Sequence, residues 1–382
     1  MSRLLFLALA LCACAKPDRS SPFSALVVTY ESTTGTYRLG QVRLNTLTSL
    51  RRLQGAAGQV RAGGSVRLSR QDVLDPAATV DSLRARSVRD PPREVDLAWS
   101  ELNGIVYPED FQGLELLTAY FNLESSRSVV AGWGLAPLPA VPVVAHPAIA
   151  DENGQPVLDE GELYLPALGS FYFPAASATS QLPPVFNLGA VGHALGHQLL
   201  QQMVWAGAPA PPPERSSARD GAANIARHLS RSLSEGIADY LGVAISQDPL
   251  WFEHSVQQTA AGRDLTVVRC GTTNMLDALA VDDSQVPYDP YPLGTVLAGA
   301  LWESSQDLQI SASGVLAALP AIGKTMQSGL ALAPVLDALA AAADDSRKKA
   351  LCGLLLDRFR SLGIASLPSC AGGANPPGTS CP

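Results

Sequence analysis

The sequence predicts an α+β protein, with a β-rich segment followed by a domain that combines a small sheet with many helices. Between residues 25 and 105, short stretches of alternating polarity are separated by glycines, as is typical of strands joined by turns. From about residue 109 the apolar residues recur at helical spacing instead. The chain has 382 residues, 47 % apolar and only 16 % charged, so it can bury a large core and is neither disordered nor a coiled coil.

Residues 1–14 predict an export signal. Arg3 precedes an apolar run at 4–13, which is well short of the roughly 20 residues that a helix needs to cross a bilayer. The run ends in L-C-A-C, which resembles a bacterial lipobox and makes Cys14 the residue that would be lipidated. A cleaved secretory signal without a lipid is the alternative interpretation.

The rest of the chain divides into four segments. Residues 15–24 are polar, contain two prolines and are interpreted as a tether, and residues 25–105 as a β-rich N-terminal module. Residues 106–365 form the main domain, and 366–382 an irregular tail rich in glycine and proline. Lys16 stands where an acidic residue would favour the inner membrane by the lipoprotein sorting convention. We therefore expect an exported outer-membrane lipoprotein, attached to the membrane by its lipid alone.

The formal charge excludes one class of partner. Lys and Arg number 27 against 35 Asp and Glu, which gives a net charge of −8, and the chain has no long basic run. Nucleic-acid binders draw most of their affinity from contacts to phosphates. We therefore expect no nucleic-acid partner.

The cysteines predict disulfides. Export places the chain in an oxidising compartment, and no pair has the C-x-x-C spacing of a metal or redox site. Four cysteines after the signal allow three pairings. We favour Cys352 with Cys370, because this bond would attach the C-terminal tail. The four are Cys270, Cys352, Cys370 and Cys381.

Helix and strand patterns alternate at the start of the main domain. Apolar spacing predicts a helix over 111–126, and Asn187 is placed to cap a helix that runs to about residue 205. A second helix starts at about 221, a third pattern covers 232–246, and the Ala- and Leu-rich remainder is mostly helical to about 362. Strands are predicted at 140–145, 162–165 and 170–173.

Two histidines in the helix that Asn187 caps suggest a metal site. His193 and His197 are four residues apart, so they lie on one helical face, about one turn from each other. Their ring nitrogens can share one metal ion. Taken alone, the pair is equally compatible with two histidines that form hydrogen bonds in a polar core.

A later helix repeats this spacing with acidic residues. Glu235 and Asp239 lie in S-E-G-I-A-D-Y, where apolar neighbours favour burial over a solvated face. A His₂Glu zinc site requires one carboxylate as the third ligand. A second carboxylate commonly orients a ligand imidazole through its other ring nitrogen.

Together, the two motifs resemble the thermolysin-like, or gluzincin, zinc metallopeptidases. The family pattern is H-E-x-x-H followed by a downstream E-x-x-x-D helix, and this chain has V-G-H-A-L-G-H-Q-L and S-E-G-I-A-D-Y-L-G. The resemblance covers about residues 110–305. It implies a zinc ion held by His193, His197 and Glu235, with Asp239 orienting a ligand histidine through its other ring nitrogen.

The resemblance also implies a gluzincin-like domain, with a small sheet lobe, a helical lobe and a cleft between them. Residues 169–173 occupy the place of the edge strand on the family's substrate side. The expected partner is therefore a peptide or protein segment in the cleft that adds a strand beside residues 169–173.

Two positions depart from the family pattern. The residue after the first histidine should be the glutamate that acts as general base, but it is Ala194, whose methyl group cannot take a proton. General-base catalysis typically raises the rate of the catalysed reaction by about 10² to 10⁴-fold. Further along the chain, where a histidine that binds the developing oxyanion is expected, Tyr291 stands instead and can donate a similar hydrogen bond.

The sequence therefore predicts a zinc-binding protein of metallopeptidase type whose hydrolysis is lost or severely impaired. The metal should survive the change at position 194, since this residue would not be a ligand. One alternative is an active peptidase with a substitute base, for which Asp220 and Glu303 are candidates. The other is a remnant of the fold that no longer binds metal.

Overall fold

The structure, a computed structural model, describes most of the chain after the export signal. The predicted signal with Cys14, and the candidate base Asp220, lie outside the described residues. The described residues are 17–69, 80–135, 137–156, 162–166, 168–177, 180, 182–205, 221–255, 262–282, 288–328, 331–371 and 381.

The described part of the chain contains strands that are mostly short. They are β1 (Phe23–Glu31), β2 (Thr36–Leu44), β3 (Leu47–Ser49), β4 (Gln54–Gly55), β5 (Gly58–Ala62), β6 (Ser65–Leu68), β7 (Val88–Asp90), β8 (Arg93–Glu94), β9 (Trp99–Leu102), β10 (Ile105–Pro108), β11 (Pro142–Ala145), β12 (Ala148–Asp151), β13 (Leu163–Leu165) and β14 (Ser170–Phe173).

These strands form three sheets. The first has the order β2-β1-β10-β9, in which β1 and β10 are parallel. The second has the order β13-β14-β11-β5-β4-β3, with β8 paired to β5, and the third is β12-β6-β7. Parallel pairing of β5 with β11 and of β6 with β12 means that the β-rich segment and the main domain share two sheets.

The helices are concentrated in the second half of the chain. None of those described combines the length and the apolar composition that a membrane span requires. They are α1 (Val80–Ser87), α2 (Phe111–Gly132), α3 (Leu188–Met203), α4 (Gly221–Ser246), α5 (Trp251–Ser255), α6 (Thr273–Leu279), α7 (Tyr291–Asp307), α8 (Ala312–Ser328), α9 (Leu332–Ala342) and α10 (Asp345–Phe359), with short 3₁₀ turns at Pro184–Phe186, Arg360–Leu362 and Pro368–Cys370.

The predicted class is confirmed, since the protein is a mixed α+β structure with several small sheets. The strand expected at 170–173 is β14, and the helix expected over 187–205 is α3. The two helical patterns expected from 221 and over 232–246 are one continuous helix, α4. No proline or glycine interrupts residues 222–235, so nothing in the sequence ends the helix there.

The expectation that residues 169–173 form an edge strand is wrong. β14 pairs in parallel with β11 on one side and antiparallel with β13 on the other. All four of its residues are buried, as is typical of a strand covered on both faces. Among the described strands, β13 and β3 lie at the two ends of this sheet.

Helix α2 connects the sheets to the helical part. On one side, the Thr118 hydroxyl accepts a hydrogen bond from the backbone N–H of Val28 in β1, at 3.1 Å. On the other, Asn122 Nδ2 donates to the carbonyl of Val185, just before α3, at 2.8 Å. The position of α3 relative to the sheets is therefore set by α2.

Part of the segment predicted as a tether, residues 15–24, belongs to the folded structure. The backbone N–H of Ser21 donates to the carbonyl of Leu47 at 2.8 Å. The hydroxyl of Ser49 donates to the Asp18 carboxylate at 2.5 Å. These contacts attach the chain to β3 before β1 begins.

The disulfide prediction is confirmed. Cys352 in α10 is bonded to Cys370, and the second bond joins Cys270 to Cys381. Both bonds attach the C-terminal segment to the helical part of the molecule.

Candidate metal centre

Helix α3 carries both candidate histidines and begins at a well-capped N-terminus. As predicted, the Asn187 side chain accepts a hydrogen bond from the backbone N–H of Gly189, at 3.0 Å. Its Nδ2 also donates to the carbonyl of Trp251, at 2.7 Å, which attaches α3 to α5. The side chain of His193 is 4 % exposed and that of His197 20 %, so the pair lies where α3 faces its neighbours.

Small residues let α3 and α4 approach closely. A Cβ atom at Gly196 would lie 2.9 Å from the Cα of Ala238, and one at Gly192 would lie 3.2 Å from the Cα of Gly242. A side chain at either glycine would force the helices apart. The close approach brings Glu235, one turn before Ala238, within reach of the histidines.

Three side chains bring donor atoms together between α3 and α4. The Nε2 atoms of His193 and His197 are 2.9 Å apart. Carboxylate oxygens of Glu235 lie 3.5 Å from the first of these atoms and 3.6 Å from the second. Bonds of about 2.0–2.2 Å separate neighbouring ligands of a tetrahedral zinc ion by about 3.3 Å. The donor atoms all lie within 4.8 Å of one another, so this triad can hold a metal ion.

Two neighbours on α4 orient the histidines. Asp239 Oδ1 lies 2.8 Å from His193 Nδ1, and its side chain is almost fully buried. The hydroxyl of Ser234 lies 3.2 Å from His197 Nδ1. Because both Nδ1 atoms face these partners, both Nε2 atoms are directed at the triad.

A further carboxylate reaches this centre from the sheet. Glu162 directly precedes β13, and its Oε1 lies 3.5 Å from His193 Nε2. The side chain is 4 % exposed, and its Oε2 is buried without a hydrogen-bond partner. Sequence reasoning missed Glu162 because no motif spacing relates it to the histidines. The one local signal is an acidic residue at the start of an apolar strand.

Sequence reasoning also missed Arg263. Its guanidinium donates to both carboxylate oxygens of Asp239, at 2.5 and 3.3 Å. It lies over the rings of Phe252 and Tyr291, 3.4 and 4.0 Å from their centroids. Its side chain is almost fully buried, so it belongs to the centre rather than to the surface.

The buried charges of this centre do not balance. Glu162, Glu235 and Asp239 supply three negative charges, and Arg263 supplies one positive charge. Two negative charges are left over when the histidines are neutral. Buried charges are costly unless they are paired or bind a metal. A divalent cation at the triad would supply the missing charge.

The proton affinities of the side chains reflect the same excess of negative charge. Burial alone would lower the pKa of His193, but Glu162 and the two carboxylates on α4 raise it to about 10. Burial raises the pKa of Glu162 to about 7, against the opposing effects of His193 and Arg263. Burial also tends to raise the pKa of Glu235, yet the two histidines hold it well below its usual value. Bound protons therefore balance part of the negative charge that a metal cation would otherwise balance.

No proton acceptor stands at the position that the family pattern gives to the general base. Ala194 follows the first histidine on α3 and is fully buried in the apolar core. The candidate substitute Glu303 is paired with Arg358, at 2.6 Å, and so is bound elsewhere.

Tyr291 lies at the start of α7, with its ring against Arg263. The charge of Glu235, together with burial, raises the pKa of the Tyr291 hydroxyl. This hydroxyl therefore stays protonated and can donate a hydrogen bond. Tyr288, by contrast, forms a hydrogen bond of 2.8 Å with Ser232.

A cavity of about 590 Å³ adjoins the centre. Arg263, which binds Asp239, and Tyr291, whose ring lies against Arg263, line the cavity, and Arg269 and Asp289 supply further charged groups on its wall. Val268, Met275 and Pro292 add apolar surface beside these charged groups.

Comparison with known proteins places the chain in no family. No family model matches it, and no curated protein matches its sequence. The link to metal chemistry therefore rests on the geometry of His193, His197 and Glu235.

Proposed function

We propose that this protein binds zinc through His193, His197 and Glu235 and holds peptide segments in the adjoining cleft, with peptide hydrolysis severely impaired because of Ala194. The proposal rests on one observation: two helices direct three donor atoms at one point, with the separations that ligands of a single ion have. From its signal sequence, we propose that the protein works as an exported lipoprotein of the outer membrane.

The residues present fit zinc. Two imidazoles and one carboxylate are a common donor set for this ion, and the tetrahedral spacing agrees with it. With both imidazoles neutral, as metal ligands are, the two remaining negative charges match the charge of the zinc ion. When bound, zinc would polarise a substrate carbonyl and make a water molecule more acidic.

A peptide fits the surroundings of the triad. Among the described strands, β13 is one of the two end strands of the seven-stranded sheet, and Glu162 just before it contacts His193. An extended segment that paired with β13 would run close to the metal ligands. Tyr291 and Arg263, at the border of the cavity, can donate hydrogen bonds to backbone carbonyls.

Metal analysis tests the proposal directly. We expect the purified protein to retain one zinc ion after dialysis. His193→Asn should lower the zinc affinity by more than about 100-fold, since even loss of a group that orients a ligand costs about 10- to 100-fold. The affinity is measured by competition with a chromophoric chelator.

The matched control is His146→Asn, the same substitution at a histidine outside the centre, whose backbone φ of 56° asparagine tolerates. It should leave zinc binding unchanged. A wild-type protein without zinc, or equal affinities of the two variants, would contradict the proposal. Binding of the zinc-loaded protein to a peptide array, lost with chelator, tests the peptide part separately.

A further inference from the structure

Among the described carboxylates at the candidate metal centre, Glu162 is the one that is neither bound by Arg263 nor part of the metal-binding triad. Asp239 is bound by Arg263, and Glu235 is one of the three metal-binding groups. Glu162 has one oxygen 3.5 Å from His193 Nε2, whereas its Oε2 is buried without a hydrogen-bond partner. A buried polar atom without a partner is costly and is often retained for a function.

Distances exclude Glu162 from the ligand set. The donors that all lie within 4.8 Å of one another come from His193, His197 and Glu235, and Glu162 is not among them. Two atoms bonded to the same ion are at most about 4.4 Å apart, because each bond is at most about 2.2 Å long. Glu162 is therefore close to the ligands but outside the set that can share the ion. This is the place of a group that contacts a reactant.

The strand fixes Glu162 in this place. β13 pairs with β14, and Tyr164 donates a hydrogen bond to Gln201 of α3 at 2.8 Å. Glu162 directly precedes the strand, two residues before Tyr164, and both side chains contact residues of α3. The carboxylate thus approaches from the sheet, whereas Ala194 lies on α3.

We propose that Glu162 is the proton acceptor for residual peptide hydrolysis at this centre, in place of the glutamate that Ala194 replaces. This inference depends on the proposed zinc and peptide binding. Glu162 takes a proton from a water molecule, and the water oxygen forms a bond to the carbonyl carbon of the peptide. The C–N bond then breaks, and the proton passes from Glu162 to the leaving nitrogen. Peptide and water thereby give a carboxylic acid and an amine.

The experiment compares Glu162→Gln, which keeps the shape but cannot take the proton, with Glu152→Gln on an exposed turn. Both are loaded with zinc. Hydrolysis of an internally quenched peptide library should fall by about 10² to 10⁴-fold in Glu162→Gln alone. Zinc affinity should fall by less than about tenfold, below the range for loss of a ligand or its orienting partner.

A second readout does not depend on turnover. Acetohydroxamate binds zinc and gives its hydroxyl proton to a neighbouring carboxylate, so calorimetry should show about 10- to 100-fold weaker binding in Glu162→Gln, the value of one charge-assisted hydrogen bond. Glu152→Gln should bind it as the wild type does.

Three results would overturn the assignment of Glu162. They are unchanged hydrolysis in Glu162→Gln, loss of its zinc, and a zinc-loaded wild type that cleaves no peptide. The last result leaves zinc and peptide binding intact, so it rejects the role of Glu162 and not the proposed function. Failure of the wild type to bind zinc rejects the proposed function itself, and the role of Glu162 with it.

Discussion

Ala194 lies on α3, whereas Glu162 reaches the candidate centre from the start of β13. Ala194 follows a ligand histidine and is buried in the core, where its methyl group can neither accept nor donate a proton. Glu162 reaches the same histidine from the sheet and keeps one oxygen without a partner. At the scale of single residues, the chemistry proposed for the centre therefore depends on a carboxylate outside the H-x-x-x-H motif.

Placing a carboxylate at position 194 of α3 tests whether the missing proton acceptor is what limits hydrolysis. We expect Ala194→Glu to raise the hydrolysis of a quenched peptide library by at least about 10²-fold, because it places a proton acceptor beside the ligands. Ala194→Gln is the matched control, since it has the same bulk at this buried site but no proton affinity. Circular dichroism and zinc content confirm that both variants are folded and loaded.

Combining Ala194→Glu with Glu162→Gln sharpens the comparison. If Glu162 is the acceptor in the wild type, the new glutamate should restore the hydrolysis that Glu162→Gln removes. Equal activities of Ala194→Glu and Ala194→Gln would show that the cleft lacks more than a base.

Close helix packing forms the ligand triad. Gly196 on α3 faces Ala238 on α4, and Gly236 on α4 faces Gly294 on α7, where a Cβ atom would lie 2.4 Å from the Gly294 carbonyl oxygen. Backbone atoms cannot move aside as a flexible side chain can. The distance between the helices, and with it the distance between the histidines and Glu235, therefore depends on these small residues.

Gly196→Ala tests the role of this packing. The added methyl group would lie 2.9 Å from the Ala238 Cα, so the helices must separate. We expect a loss of about 1–3 kcal/mol in the free energy of unfolding, as for other overpacked cores. Zinc affinity should fall at least about tenfold, because the ligands lose their alignment. Urea titration and chelator competition measure the two effects.

Gly299→Ala on α7 provides the control. No atom lies within 4 Å of a Cβ at this position. Alanine is the better helix former, so the variant should be more stable by about 0.5–1 kcal/mol and bind zinc normally. Normal zinc binding in Gly196→Ala would show that the triad tolerates a wider helix spacing.

At the scale of the whole molecule, two disulfides attach the C-terminal segment. The Cys352–Cys370 bond closes a sequence separation of 18 residues, and the Cys270–Cys381 bond one of 111. A cross-link restricts the unfolded chain more when it closes a longer loop. The two bonds should therefore stabilise the fold to different extents.

Paired Cys→Ser variants test this difference. Removing the short-range bond should lower the free energy of unfolding by about 3 kcal/mol, and removing the long-range bond by about 4 to 5 kcal/mol. Urea denaturation of the zinc-loaded variants measures both, with the fully reduced wild type as reference. A larger loss for the short-range pair would contradict the loop-length argument.

Much of this protein follows from local patterns in its sequence. Residues close together in the chain determine the cap at Asn187, helix α3 and the spacing of both i, i+4 pairs. The spacing of residues in the sequence therefore predicts these features. The same reasoning indicates the β-rich start of the described chain, whereas the Cys352–Cys370 bond is predicted because it would attach the C-terminal tail. Even here, α4 is one helix rather than two, because helix boundaries depend on packing as well as on sequence.

Only the tertiary structure shows Glu162 and Arg263 at the candidate metal centre and β14 in the interior of its sheet. These positions result from contacts between segments that are far apart in the chain. Such contacts leave no repeating pattern in the sequence from which they could be predicted. The sequence thus determined which groups can bind the ion, whereas the packing of sheet against helices decided which other charges surround it. The physical reason is that ligand spacing within a helix is set by the backbone, but the neighbours of a buried side chain are set by the whole core.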